Sequence, residues 1–370
     1  MSTSPIPTIA LGGSASHINV GRIAFGCMGM TWTDPAKMTP DAEAFKTIKA
    51  AVDAGSNFLN TGAFYGPPSD PYANLKLLRR FYDAHPEYKD KTVLSVKGGM
   101  DTPAYQAKGM AGLKADASVE ALEKDLQAIR QHLGTDEGGK NIDVYEVSRR
   151  DTSMSVTQAM LNMLSLSTQT YTDAEGNKVT GKGLFDHISL SELGLASIQE
   201  AVKAAPVACV ELEVSPWELE VFTSGIVEFC EANHLPILAY SPVGKGLLTG
   251  TIKSAADIPE GDVRSHMDRL NKDNIAKNLE LANEFVQLAE KQSPKVTPTQ
   301  LGLAWLMASS KVMIPLPGTT KASRAKENAE AAAIKLDDQT KNELDQKVKQ
   351  FKVAGGRYNE AARNNFALMG

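Results

Sequence analysis

Residues 41–59, DAEAFKTIKAAVDAGSNFL, contain one full period of the pattern that decides the fold. Asp41 stands at the expected N-cap of a helix and Gly55 stops it; the apolar run that follows at 56–59 reads as a strand. The same alternation continues in both directions. Strands are expected at 22–25, 56–59, from 92 (TVLSV), from 142 (IDVYEV), at 186–190 (DHISL), and from 207 (VACVEL), 236 (PILAY) and 312 (VMIPL). Helical patterns lie between them at 118–134, 155–165, 195–205, 224–234, 297–309 and 321–333. Eight strands separated by helices predict an α/β fold: a closed parallel (β/α)8 barrel of the TIM type with an N-terminal hairpin, one domain over residues 1–370.

Two segments exceed minimal barrel spacing. Residues 171–184, YTDAEGNKVTGKGL, are polar and turn-rich and predict a hairpin-like excursion before the fifth strand. Residues 247–293 are longer than one crossover needs, and long strand-to-helix loops belong on the catalytic face, so this stretch is expected to close over a ligand. After residue 336 comes one charged helix and then VAGGRYN (353–359), expected to reach the barrel mouth.

Composition narrows the function classes. The 370 residues are 42% hydrophobic and 22% charged, enough of both for a large core under a solvated surface. Lys plus Arg number 39 against 44 Asp plus Glu, a net charge of −5 that offers no general basic field for nucleic acid. Cys27, Cys209 and Cys230 lack both disulfide and zinc-ligand spacing, so no metal is expected and a reducing compartment fits best. With no secretory signal and no run of about 18 apolar residues, a soluble cytoplasmic protein with no membrane partner is expected.

Active sites of such barrels sit at the C-terminal strand ends. After the second strand, NFLNTGAFYG places Asn60 at the strand end and Tyr65 five residues on; after the third, VLSVKGG places Lys97. An ammonium beside a phenol lowers the phenol's pKa from about 10 toward neutrality and makes it a better proton donor to a carbonyl oxygen.

With these residues in hand the chain resembles the aldo-keto reductase superfamily, and most closely its fungal pyridoxal reductase branch. The resemblance runs through GCMGMTW after strand one, NFLNTGAFYG, LSVKGG, YEVSRRD, LSE after strand five, LAYSPVGKGLLTG after strand seven and IPLPGTTKASRAKEN around strand eight. It implies a barrel that binds NADPH without a Rossmann domain, and GxGxxG is absent here. It also implies a tetrad of Asp, Tyr, Lys and His, of which Tyr65 and Lys97 are present while Asn60 and Ser148 stand at the other two places. Asn60 accepts from an ammonium without neutralising it, so Lys97 is expected to titrate lower or to press harder on Tyr65; Ser148 donates a hydrogen bond but relays no proton near neutrality.

The resemblance further implies that Lys321, Ser323 and Arg324 hold the adenosine 2′-phosphate at a helix N-terminus, with Glu327 and Asn328 at the adenine and Gly318 also among the cofactor-binding residues. It places Tyr240 against the nicotinamide ring, Ser191 and Glu211 at the carboxamide, and Ser241, Lys245, Gly246 and Leu247 over the pyrophosphate. Thr31 and Trp32 fall under the nicotinamide ribose. Glu211 and Glu192 replace the commoner Gln and Asn. Trp32, Phe64, Trp217, Arg357 and Tyr358 are candidates for a substrate wall against a flat pyridine. His187 and His234 read as structural.

The function these signs imply is NADPH-dependent reduction of a small-molecule aldehyde, pyridoxal to pyridoxine first of all, an activity of vitamin B6 metabolism. Two alternatives stand beside it: a broad-specificity aldo-keto reductase, and a slow cofactor-binding regulator resembling potassium-channel β-subunits. Pyridoxal carries a phenolic hydroxyl ortho to its aldehyde, and an internal hydrogen bond from it would lessen the need for the missing His.

Overall fold

The computed structural model describes residues 6–172, 176–258, 262, 264 and 267–358. The chain opens with an antiparallel hairpin of β1 (Thr8–Ala10) and β2 (Asn19–Gly21). Then come β3 (Phe25–Gly26), α1 (Asp41–Asp53), β4 (Phe58–Gly62), α2 (Ala73–Ala84), β5 (Val93–Gly98), α3 (Thr102–Lys108), α4 (Val119–Leu133), β6 (Val144–Val147) and α5 (Val156–Leu166). A second hairpin, β7 (Thr170–Thr172) with β8 (Lys178–Thr180), forms the expected excursion, of which residues 173–175 lie outside the described residues. The order continues through β9 (His187–Ser191), α6 (Leu195–Ala204), β10 (Val207–Glu213), α7 (Glu220–Thr223), α8 (Ile226–Ala232), β11 (Ile237–Tyr240), α9 (Ile275–Lys291), α10 (Pro298–Ser309), β12 (Met313–Leu316), α11 (Ala322–Glu330) and α12 (Asp338–Gln350).

Eight strands pair in parallel in the order β12-β11-β10-β9-β6-β5-β4-β3. The first and last meet through the Ala24 N–H to the Pro315 carbonyl at 2.9 Å and the Gly26 N–H to the Pro317 carbonyl at 3.1 Å, with Gly26 bridging Gly318. This is the predicted (β/α)8 barrel. The first strand is shorter and later than the expected 22–25, because the closing bonds start at Ala24 while Arg22 N–H is taken by Pro7 of the hairpin segment.

The hairpin plugs the N-terminal end of the cylinder. Leu11, Ala15 and Val20 pack with Ala24, Phe58, Val144, Cys209, Leu238 and Ile314, and the Gly12 N–H donates to the Ala208 carbonyl at 2.7 Å. Gly13 sits at φ +52°, and a Cβ there would come within 2.6 Å of the Val207 backbone, so the close approach requires glycine.

Local signals account for some of the helix ends. Ser118 accepts from the Ala121 N–H at the start of α4, and Gly134 ends that helix in the left-handed region. At α1 the cap position belongs to Pro40, and Asp41 is already helical, where its charge favours the N-terminal end of the helix dipole. The 247–293 stretch contains short 3-10 turns and then the long helix α9; residues 259–261, 263, 265 and 266 within it lie outside the described residues. No helix among the described residues is long and apolar enough to cross a membrane.

Candidate active site

Side chains alternate along each strand, so one parity faces the barrel axis. At the N-terminal end that parity is apolar: Phe58, Val144, Cys209 and Leu238. Two residues further along the same strands it becomes Asn60, Glu146, Glu211 and Tyr240, with Lys97 inward from β5, all but Tyr240 buried. The charged layer therefore sits at the C-terminal end, where the strand register places Lys97 opposite Glu146 and Glu211 opposite Ser191.

Lys97 is the hub of this layer. Its ammonium donates to Asn60 Oδ1 at 2.9 Å and to Glu211 Oε2 at 2.5 Å, and lies 3.2 Å from Glu146 Oε1. Asn60 Nδ2 donates to the same Glu211 oxygen at 2.8 Å. Ser189 Oγ donates to Glu146 Oε2 at 2.8 Å. Tyr65 folds back over the end of β4, its N–H on the Gly62 carbonyl at 3.2 Å. A Cβ at Gly62 would stand 3.1 Å from the phenol ring, so glycine leaves room for that fold. The Lys97 ammonium lies 5.9 Å from the centroid of the Tyr65 ring.

The electrostatics differ from the sequence expectation in two respects. Burial pushes the Tyr65 phenol up to about 12; Lys97 pulls it down as expected, but Glu211 and Glu146 oppose that pull. Lys97 does not titrate lower: burial works against its charge, yet Glu211, Tyr65 and Glu146 together hold it above the ordinary lysine value. The charge that Asn60 does not supply comes from Glu211 and Glu146. Glu211 itself is pushed up to about 8, by burial first and by Glu146, with Lys97 acting in the opposite direction.

Glu211 is thus turned to the lysine, where the resemblance had placed it on a carboxamide. Ser148 follows β6 directly and is buried; its N–H is held by the Gly98 carbonyl at 3.0 Å and its Oγ receives only a long contact of 3.5 Å from the Arg149 guanidinium. Arg149 is held charged against burial by the nearby Tyr240, Tyr358, Glu192 and Tyr65, and so lies between the two halves of the site.

Trp32 and Phe64 form one aromatic wall with Tyr65. The Trp32 indole stacks on the Tyr65 ring at 5.3 Å and 22°, and Phe64 meets both rings edge-on. Trp32 Nε1 donates to the Tyr105 hydroxyl, which donates to the Gly66 carbonyl. Thr31, expected at a ribose, donates its hydroxyl to the Tyr65 carbonyl at 2.6 Å and accepts from Asn74 at 2.7 Å, which fixes the Tyr65 loop from below.

Trp217, Arg357 and Tyr358 gather elsewhere, around Lys245. Arg357 bonds Glu192 at 2.8 Å, Glu213 at 3.1 Å and the Tyr240 hydroxyl at 2.7 Å. Its charge is engaged by protein carboxylates. The expected reach of 353–359 to the barrel mouth is real as far as Tyr358; Asn359 lies outside the described residues. Trp217 is buried with its indole N–H on the Asn278 carbonyl, and its ring excludes any side chain at Gly244. Lys245 lies 5.6 Å from the Tyr240 ring and 5.7 Å from that of Tyr358. Lys245, Trp217, Arg357, Glu213 and Leu247 border a narrow crevice.

The residues present fit a nicotinamide dinucleotide. Ser191 Oγ, at the end of β9, is buried with no partner, as an atom awaiting a polar group would be. Ser241, Lys245 and Gly246 have positive φ at 53°, 54° and 109°, so this loop turns its backbone out of the helical path beside the strand ends. At the start of α11 no side chain caps the helix, and Lys321, Ser323 and Arg324 are exposed there, a set suited to a phosphate. Gly318 lies just before it, against Gly26. Asn328 is buried on the same helix, while Glu327 already accepts from Thr297 at 2.7 Å.

Glu146, Arg149, Thr31 as an anchor and Glu213 escaped the sequence reading in these roles. A signal existed for Glu146 and Glu213, since each is a carboxylate at the inward parity of an otherwise apolar strand.

Comparison with known proteins agrees with this geometry. Residues 22–349 match the Aldo/keto reductase family. The chain is 31% identical over 355 residues to a Saccharomyces cerevisiae protein named "Putative pyridoxal reductase", covering 91% of this chain and 95% of that one. It is 31% identical over 358 residues to "Aldo-keto reductase yakc [NADP(+)]" of Schizosaccharomyces pombe, covering 95% and 94%. In three dimensions it is similar to a glycerol dehydrogenase from Gluconobacter oxydans, with a TM-score of 0.73 at 20% identity over 94% of this chain and 97% of that one. The chain belongs to the aldo/keto reductase family.

Proposed function

We propose that this protein reduces the aldehyde of pyridoxal to an alcohol with NADPH. The observation that carries the reading is the Tyr65 phenol, set beside a charged and buried Lys97 and against the aromatic wall of Trp32 and Phe64. A nicotinamide dinucleotide held there would supply the hydride for the carbonyl carbon. Tyr65 donates the proton to the carbonyl oxygen, and the fixed ammonium steadies the phenolate left behind. Trp32 and Phe64 offer flat apolar surface for a pyridine ring, and Thr31 anchors the Tyr65 backbone. Lys321, Ser323 and Arg324 are the groups that would distinguish NADPH from NADH. The relatives bearing pyridoxal reductase and NADP(+) names support both choices.

Steady-state kinetics with NADPH test this reading directly. Pyridoxal is expected to exceed an unrelated aromatic aldehyde in kcat/KM, and Tyr65→Phe is expected to cost about 10² to 10⁴ in rate. Equal use of all aldehydes would point to a broad reductase, and slow oxidation of bound NADPH with every aldehyde would point to a regulator. Ser148→His gives a further test: if pyridoxal's own hydroxyl polarises its carbonyl, the variant gains more with a plain aldehyde than with pyridoxal, and equal gains exclude substrate assistance.

A further inference from the structure

We propose that Glu146 and Glu211 act as one acid pair that shares a single proton, and that this pair, rather than position 60, positions the Lys97 ammonium against Tyr65. The proposal rests on the reductase reading only for its kinetic consequence. The geometry stands without it.

Two carboxyl groups from different strands converge on one Nζ, at 2.5 Å from Glu211 and 3.2 Å from Glu146, and both are buried. Glu146 Oε1 is buried with no hydrogen-bond partner among the described residues, which leaves it open to a proton. Charge balance requires one: one ammonium against two carboxylates leaves a buried excess of one negative charge, and a shared proton removes it. The upward push on Glu211 from burial and from Glu146 agrees with a proton resident at neutral pH.

Every element around the pair fits this count. Lys97 from β5 is its cation, and Tyr65 from the loop after β4 is the neutral acid beside it. Ser189 from β9 donates to the far oxygen of Glu146, and Cys209, two residues before Glu211 on β10, stays a neutral thiol because burial pushes it well up. Asn60 from β4 donates its amide N–H to Glu211 and offers its oxygen to Lys97. An aspartate there would add a third carboxylate to one ammonium. The amide at position 60 is thus the complement of the acid pair.

The consequence is a requirement for one negative charge, which either glutamate can supply. As the pair loses its proton, the excess charge beside Tyr65 makes the phenol a weaker donor, and the rate falls above pH about 8.

The test compares NADPH-dependent pyridoxal reduction from pH 6 to 10 in the full-length protein, in Glu146→Gln, in Glu211→Gln, in the double variant and in the double variant carrying Asn60→Asp. Each single variant is expected to lose the upper pH limb while kcat/KM falls less than about tenfold. The double variant is expected to lose at least about 100-fold, and Asn60→Asp to restore at least tenfold of it. An infrared carboxyl band in deuterated buffer, present at pH 7 and lost through pH about 8, is expected in the unaltered protein and absent from both single variants. This readout needs no turnover, so it survives if pyridoxal is not the substrate and also if the double variant fails to fold. A missing band, or an upper limb that persists in both single variants, overturns the proposal.

Discussion

The indole of Trp32 lies nearly flat on the phenol ring of Tyr65, with centroids 5.3 Å apart and planes 22° from parallel. The contact fixes the ring that must point at a carbonyl, and the Trp32 to Tyr105 to Gly66 hydrogen bonds tie it to the Tyr65 loop. Trp32→Leu keeps an apolar side chain but loses the stacking and the donor. A destabilisation of about 1–3 kcal/mol in urea titration and a roughly tenfold fall in kcat are expected. An unchanged kcat would remove Trp32 from the orientation of Tyr65.

Lys97→Met tests the buried charge balance. The isosteric chain fills the volume but leaves Glu146 and Glu211 without their cation. Stability at pH 7 is expected to drop by about 3–5 kcal/mol, less at pH 5 where the carboxyl groups take up protons. Equal losses at both values would show that sterics, not charge, dominate there.

Arg357→Gln frees the C-terminal strap. Arg357 pairs with Glu192 and Glu213, and Glu213 retains Lys245 at 3.3 Å, so Glu192 bears most of the loss. A cost of about 2–4 kcal/mol and faster proteolysis after α12 are expected. Proteolysis at an unchanged rate would mean that other contacts hold the strap.

Asp125 gives a pH dependence with a defined sign. Burial pushes its carboxyl up to about 6, although the Gly99 N–H and the Tyr145 hydroxyl pull the other way. A carboxyl whose folded value exceeds its unfolded one binds more protons when folded, so its contribution is complete below about pH 4 and is lost as pH rises through 6. Glu211 extends the same loss toward pH 8. The urea midpoint is therefore expected to decline between pH 5 and 8 on account of these two groups, and Asp125→Asn is expected to flatten the lower part of that decline. A variant whose slope between pH 4 and 6 matches the unaltered protein would rule out Asp125 as a source.

Four helices, α2, α3, α7 and α9, escaped the sequence reading, and the two longest of them share a reason. α2 begins after Tyr72 and α9 after Asn274, and neither start has a side-chain cap bond. Their amphipathic faces stabilise them through packing, which has no local start signal. The helices that were read, α4 with Ser118 and Gly134 or α10 with Thr297, have such signals at their ends.

Local sequence determined the alternation of strands and helices, the hairpin before β9, and the placing of Tyr65 and Lys97 at neighbouring strand ends, because periodicity, caps and turn residues act over a few positions. The destination of Glu211 was decided only by the closed cylinder. Its partner Lys97 lies 114 residues away in sequence, and the two meet because barrel closure points one parity of every strand at a common axis. Which charges neutralise which in that dry interior depends on distances across the barrel, and no spacing along the chain encodes them.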